Sequence, residues 1–317
     1  MQRRPLGTTG LSISPIVFGG NVLGWTADEA TSFRVLDAFV DHGFDTIDTA
    51  DVYSRWAEGH SGGESETVLG RWFAARPGMR GRITLFTKVG SDMGGPGEMG
   101  LGPTWISQAI DRSLKRLNLE TVDLYFSHWP DAEADEADTL GAYTQLISAG
   151  KIRAIGASNY DAEQLAHSLK VARDTGLPRY QVIQPEYNLY KRDSFEGPLR
   201  DLCRENEIGV VTYFSLAAGF LTGKYRSKDD LEGRARGAMV EKYLDARGER
   251  ILEALDDVAS AKNVTCAEVS LAWLIAREGV SAPIASATSV AQVESFARAA
   301  TLTLSDEEMS QLTDAGA

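Results

Sequence analysis

Val122-Asp-Leu-Tyr-Phe-Ser-His128 is an apolar run of strand length that closes on an imidazole. Two earlier runs are built the same way. Ile83-Thr-Leu-Phe-Thr-Lys88 closes on an ammonium and Phe44-Asp-Thr-Ile-Asp48 on a carboxylate. Asp48, Lys88 and His128 stand 40 positions apart, about one βα unit per step. A polar residue that ends a buried strand sits at the carboxyl edge, where parallel sheets carry their chemistry. Tyr53 follows Asp48 in the next loop. The four side chains can therefore converge on one mouth and form a proton-donating site.

Working outward, further strand candidates are Ile16–Gly19, Ile152–Ala157, Tyr180–Gln184, Gly209–Tyr213 and Ala282–Ala285, which makes eight with the first three. Helical periods lie between them. Glu29–His42 follows Asp28, Ser65–Ala75 carries Val68, Leu69, Trp72 and Phe73, and Thr104–Leu117 has Thr104 as its expected N-cap. Asp161 and Ser194 read as caps of later helices, and Gly150 as the residue that ends Leu140–Ala149. Strands alternating with helices in this number predict a (β/α)8 TIM barrel, as one domain over 1–317. Two breaks interrupt the rhythm, a glycine-rich loop over 90–102 and an irregular Gly-, Lys- and Arg-rich segment over 216–248. Two extra helices are expected at about Ala267–Arg277 and Ser305–Ala315.

The bulk numbers bound the function. The chain has 317 residues and a formal net charge of −13, which argues against nucleic acid or an anionic membrane as the main partner. A phosphate-bearing cofactor needs only a few local donors and stays open. Cys203 and Cys266 show neither metal spacing nor a disulfide framework and read as small buried hydrophobes. His42, His60, His128 and His167 show no paired spacing, so no metal is expected. No G-x-S-x-G nucleophile elbow occurs. The amino terminus lacks the apolar core of a secretory signal, and no run approaches the roughly 18 apolar residues of a membrane span, which points to the cytoplasm.

Two glycine-rich stretches invite phosphate-binding readings. Gly95-Pro-Gly-Glu-Met-Gly100 fits G-x-G-x-x-G, but Pro96 suits a close phosphate approach poorly, and a mobile loop near the site is the better reading. Gly219-Phe-Leu-Thr-Gly-Lys-Tyr225 is too short for a Walker loop, yet it makes a fair anion cradle. Each residue of the first four also has a plainer reading alone. Lys88 with Asp48 can be a structural ion pair, His128 a satisfied polar residue, and Tyr53 packing. Lys88 needs a partner in any case, since an unpaired buried ammonium costs several kcal/mol. A cation beside Tyr53 is expected to make its hydroxyl more acidic.

With these blocks in view, the chain resembles the aldo-keto reductase family over nearly its whole length. The resemblance rests on Arg4-Pro-Leu-Gly-Thr-Thr-Gly-Leu11 and Phe18-Gly-Gly20, which match an N-terminal β-hairpin and first strand. It rests further on Asp45-Thr-Ile-Asp-Thr-Ala-Asp-Val-Tyr53 with Gly63-Glu-Ser-Glu66, and on Gly150-Lys-Ile-Arg-Ala-Ile-Gly-Ala-Ser-Asn159. Gln184-Pro-Glu-Tyr-Asn-Leu189 and Gly219–Tyr225 complete it.

The resemblance implies a barrel with an N-terminal hairpin and two extra helices, and a nicotinamide cofactor bound across its mouth. It implies a catalytic tetrad of Asp48, Tyr53, Lys88 and His128, with Tyr53 protonating a carbonyl oxygen. For the cofactor it implies contacts at Gly20, Asn21, Asp48 and Ser215, with Ser158, Asn159 and Gln184 holding the nicotinamide amide and Tyr213 stacked on its ring. Leu216, Gly219 and Lys224 would cradle the pyrophosphate, and Ser286, Thr288, Ser289 and Gln292 would face the adenosine end. Trp25, Tyr53, His128 and Trp129 would line the substrate pocket, whose aromatic walls suit a neutral aldehyde or ketone. NADP(H) is favoured, while Phe296, where relatives often carry Asn, and the Ile284–Ser289 block leave NAD(H) open. The expected partner is a small carbonyl or alcohol, and nothing in the sequence sets an oligomeric state. The same family includes auxiliary subunits of potassium channels, so a cofactor-binding regulatory subunit is the alternative.

Overall fold

The computed structural model describes residues 2–317. Two short strands open the chain, β1 (Arg4–Pro5) and β2 (Ser12–Ile13), paired antiparallel. Eight parallel strands follow: β3 (Val17–Gly19), β4 (Thr46–Asp48), β5 (Thr84–Val89), β6 (Val122–Ser127), β7 (Ile152–Ser158), β8 (Val182–Gln184), β9 (Gly209–Thr212) and β10 (Ala282–Ala285). They close into a barrel in sequence order, with β10 pairing back to β3. The helices are α1 (Glu29–Asp41), α2 (Glu64–Ala75), α3 (Pro103–Leu117), α4 (Glu136–Ser148), α5 (Ala162–Thr175), α6 (Pro198–Glu205), α7 (Gly237–Val240), α8 (Ala246–Lys262), α9 (Cys266–Ala276), α10 (Val290–Ala299) and α11 (Asp306–Ala315). The chain is thus a (β/α)8 barrel with an N-terminal hairpin.

The period of two along each strand sorts the core into two bodies. Phe18, Ile47, Leu85, Tyr125, Ile155, Ile183 and Val210 face outward and pack with the helices. Val17, Phe86, Leu124, Phe126, Ala154, Val182, Val211 and Ile284 fill the barrel, with Leu6 and Ile13 of the hairpin joining them. Gly156 makes room for this filling, because a Cβ there would stand 2.5 Å from Phe126 Cε1. Two residues beyond the filling, on the same face, come Lys88 after Phe86, His128 after Phe126, Gln184 after Val182 and Tyr213 after Val211. The uppermost interior layer is polar because the apolar layer beneath it already occupies the barrel.

Several local expectations change. Gly102, not Thr104, precedes α3, with Pro103 supplying the fixed φ of the first helical position. Ser194 caps no helix: α6 starts after Gly197, and the Ser194 hydroxyl donates to the carbonyl of Glu186. Asp161 does cap α5, in a reciprocal capping box with Gln164. The expected extra helix near Ala267–Arg277 is α9, which packs against β10 and α10 and so belongs to the barrel's own ring. The outer helix of that region is α8, packed on α9 and α11; its first residues, 246–248, fall at the end of the segment expected to be irregular. Cys203 is buried as expected, whereas Cys266 is half-buried and its thiol donates to Asp256 Oδ1 at 3.3 Å. No helix among the described residues is long and apolar enough to cross a membrane.

Candidate active site

Asp48, Lys88 and Tyr53 meet above the filled barrel. Lys88 is fully buried, and its ammonium spends its three donors on Asp48 Oδ2 at 2.6 Å, Tyr53 Oη at 2.7 Å and the Thr49 carbonyl at 2.9 Å. The Tyr53 hydroxyl lies 3.1 Å from Asp48 Oδ2 and donates to it. The other oxygen of Asp48 accepts from Gln184 Nε2 at 2.9 Å. His128 faces this group, its ring 6.1 Å from that of Tyr53. The His128 backbone N–H donates to the Val89 carbonyl at 2.8 Å, which ties the end of β6 to the end of β5.

Burial, and then the Asp48 carboxylate, hold the Tyr53 hydroxyl well above the usual tyrosine range. The acidifying influence expected from Lys88 does not set the balance in this arrangement, and Tyr53 keeps its proton. Burial lowers Lys88, against the opposing pull of Asp48. Burial and then Lys88 push His128 well below its ordinary value, so its imidazole is neutral at ordinary pH. Beside them, Asp51 is driven well above the carboxylate range by burial and then by Glu66.

The residues expected around a cofactor fall into four groups on the same rim. Ser158 donates to the Gln184 carbonyl at 2.9 Å, and Asn159 donates to the His128 carbonyl at 2.9 Å while accepting from Tyr213 Oη at 2.6 Å. Gly20 packs so closely on the Asp48 backbone that a Cβ would lie 2.8 Å from its carbonyl oxygen; next to it, Asn21 accepts from Ser286 at 2.6 Å. After β9, Ser215 donates to the Thr212 carbonyl at 3.1 Å, and Leu216 leads into Ala217, Ala218 and Gly219, three consecutive residues with φ of 47°, 57° and 101°. Left-handed alanines cost about 1–2 kcal/mol each, and such strain gathers at ligand-binding loops. Lys224 Nζ would be 3.6 Å from a Cβ at Gly219, which places its charge over this loop. Thr288, Ser289 and Gln292 form the entry to α10, with Ser289 as its cap and Gln292 accepting from the Thr288 N–H at 2.7 Å. Phe296 points into the core with Val293 and Ala299, so it offers no surface to a ligand.

The aromatic wall is larger than the sequence reading had it. Trp129 is half-exposed and stacks on His128, with ring centroids 5.6 Å apart and planes 14° off parallel. Trp25 meets the cluster through Trp56, which lies edge-on to Trp25 at 5.5 Å and to Tyr53 at 6.0 Å. Trp56 lies outside the expected substrate set, although its place three residues after Tyr53, in the same loop, is the signal the sequence offers for it. Arg236, from the long segment after β9, lies over the Trp25 ring at 5.6 Å. A cavity of about 740 Å³ at the opposite end of the barrel is lined by Arg3, Asp45, Arg80, Glu120, Asp123 and Arg153, and Asp45 and Asp123 are already paired with arginine there.

Comparison with known proteins agrees with this fold. The family model of the aldo/keto reductase family matches residues 15–317. An uncharacterised oxidoreductase of Bacillus subtilis is 30% identical over 99% of this chain and 95% of its own. An NADP(+) aldo-keto reductase of Schizosaccharomyces pombe is 32% identical over 92% of this chain and 84% of its own. A probable voltage-gated potassium channel subunit beta of Arabidopsis thaliana is 30% identical over 93% of this chain and 89% of its own. With its parallel barrel closed in sequence order and a match that runs through its last residue, the chain belongs to the aldo/keto reductase family.

Proposed function

We propose that this protein is a single-domain, NADP(H)-preferring oxidoreductase that reversibly reduces an aldehyde or ketone to an alcohol, with Tyr53 as the proton donor. The observation that carries the reading is one buried ammonium, Lys88, bonded at once to a carboxylate and to a phenol. A nicotinamide cofactor, when bound, supplies the hydride equivalent for the carbonyl carbon.

The chain's own groups handle the oxygen. Negative charge builds there as the carbonyl is reduced, and Tyr53 gives up its proton to it. The phenolate left behind is stabilised by Lys88, whose N–H already points at the Tyr53 oxygen. Asp48 keeps Lys88 charged despite its burial. Neutral His128 donates one N–H to the carbonyl and orients it. Trp25, Trp56 and Trp129 keep water from the reacting centre and accept an apolar substrate body.

The residues present fit a dinucleotide. Ser158, Asn159 and Gln184 suit the nicotinamide amide, Tyr213 its ring, and Gly20 and Asn21 the rim beside it. Ser215, Leu216, Gly219 after the strained Ala217 and Ala218, and Lys224 suit two phosphates. Ser286, Thr288, Ser289 and Gln292 suit the adenosine end. The likeness to an NADP(+) aldo-keto reductase supports the cofactor preference.

A second reading is that cofactor binding regulates a partner and turnover is incidental; the likeness to a channel subunit favours it. Titration with NADPH and NADH, followed by quenching of Trp and Tyr fluorescence, tests the cofactor, and a panel of simple carbonyls tests turnover. Selective NADPH binding with turnover that disappears in Tyr53→Phe is expected. Tight NADPH binding without turnover would favour the second reading, and no binding of either nucleotide would sink both.

A further inference from the structure

Ser91 enters the mouth on a turn. β5 ends at Val89, and Gly90 takes φ of 119°, a conformation that side chains rarely adopt. A Cβ at Gly90 would also press on Leu101 Cδ2 at 3.2 Å. The turn carries Ser91 to the end of the neighbouring strand, where its Oγ lies 3.1 Å from His128 Nδ1. The same oxygen accepts the indole N–H of Trp129 at 3.1 Å.

Indole nitrogen only donates, so one lone pair of Ser91 is committed to Trp129. The one acceptor that the serine hydrogen finds among the described residues is His128 Nδ1. A neutral imidazole carries a single proton, and a ring nitrogen that accepts leaves that proton on the other. The stack of Trp129 on His128 resists a ring flip that would exchange Nδ1 for carbon.

We propose that Ser91 is a positioning residue: anchored by Trp129, it donates to Nδ1 of His128 and fixes the tautomer that carries its proton on Nε2, the nitrogen left to donate to a substrate carbonyl. The proposal rests on the reading of His128 as a carbonyl donor, but its central claim concerns the free protein. It also gives Trp129 a second task beyond lining the pocket, since the Trp129 N–H sets which way the Ser91 hydroxyl points.

The test is ¹⁵N NMR of protein labelled at its histidines, with the His128 signals assigned by their loss in His128→Asn. The wild type is expected to show a pyridine-type Nδ1, displaced by an accepted hydrogen bond, and a pyrrole-type Nε2. In Ser91→Ala that displacement is lost, or the two tautomers exchange, and Ser91→Thr, which keeps the hydroxyl, restores the wild-type pattern. A pyrrole-type Nδ1 in the wild type, or identical His128 spectra in Ser91→Ala, overturns the proposal. Activity supplies the second readout: Ser91→Ala should lower kcat about tenfold, the scale of one neutral hydrogen bond, with NADPH affinity unchanged. Altered His128 spectra with undiminished kcat would leave the tautomer control standing and refute His128 as carbonyl donor, so the two readings fail separately.

Discussion

Asp45 and Asp48 bracket one short strand, and each is paired with a cation, but the two ends of the barrel use their pairs differently. At the floor, Asp45 is held by Arg3, the Ser14 N–H and the Thr46 hydroxyl, and nearby Asp123 by Arg80, Arg153 and the Leu85 N–H. Those cations are guanidiniums, which do not give up protons, and they stay partly in water. At the mouth, the Asp48 carboxylate is paired with a fully enclosed lysine, and a phenol is bonded to both. The floor satisfies its charges and stops there. The mouth satisfies its charges through a phenol with a proton to donate, and under the proposed function that difference separates a structural ion pair from a reactive one.

The sharpest way to break the comparison is Tyr53→Phe, which removes one hydroxyl and no charge. It should cost kcat on the order of 10²–10⁴-fold while leaving NADPH affinity nearly intact, as checked by steady-state rates beside fluorescence titration. Retained activity would reduce the mouth to a buried version of the floor. Lys88→Met comes next. It strands Asp48 in a dry site, so urea unfolding should show a loss of about 3–5 kcal/mol together with crippled turnover.

A smaller effect is expected from pH. The folded state holds His128 below its ordinary value of 6.5, so below that pH the unfolded chain takes up a proton that the folded chain refuses. The contribution of His128 to stability is therefore at its full value well above pH 6.5 and falls as pH drops through and below it. Urea unfolding of His128→Asn should show a shallower pH dependence than wild type in that window; equal slopes would mean that His128 titrates normally. The smallest effect belongs to the floor. Arg153 is largely exposed and Arg80 still holds Asp123, so Arg153→Ala should cost under about 1 kcal/mol and leave kcat unchanged.

Much of this was legible because the strands are buried on both faces, where a continuous apolar run ending in one polar residue stands out. Asp48, Lys88 and His128 could be placed at strand ends from that pattern alone, and Lys224 in an anion cradle from its glycine-rich loop, while the tasks of Ser158 or Gln292 came only through family resemblance. Helix α8 shows its apolar face in Ile251, Leu252, Leu255 and Val258, but its first turn, Ala246-Arg-Gly-Glu-Arg250, blends into the charged segment before it. Ser91 was out of reach for a different reason. Its meeting with His128 depends on the backbone turn at Gly90, and a glycine in a glycine-rich loop does not announce which turn it makes. Phe296 shows the converse limit, since a position aligned by resemblance turned out to face the core.

The alternation along β5 and β6 has a consequence for how this protein can diversify. Phe86 and Lys88, like Phe126 and His128, share a face only because one residue separates them. Adding or deleting a single residue there would rotate the ammonium or the imidazole into the outer shell of apolar side chains and lose fold and chemistry in one step. Length changes are therefore tolerable in the segments beyond the strands and past the groups that hold His128 and the phosphates, such as 92–102 and 226–245, and not within the strands. New substrate preferences can be reached by grafting those segments, while the proton-handling groups stay locked to the lattice of the barrel.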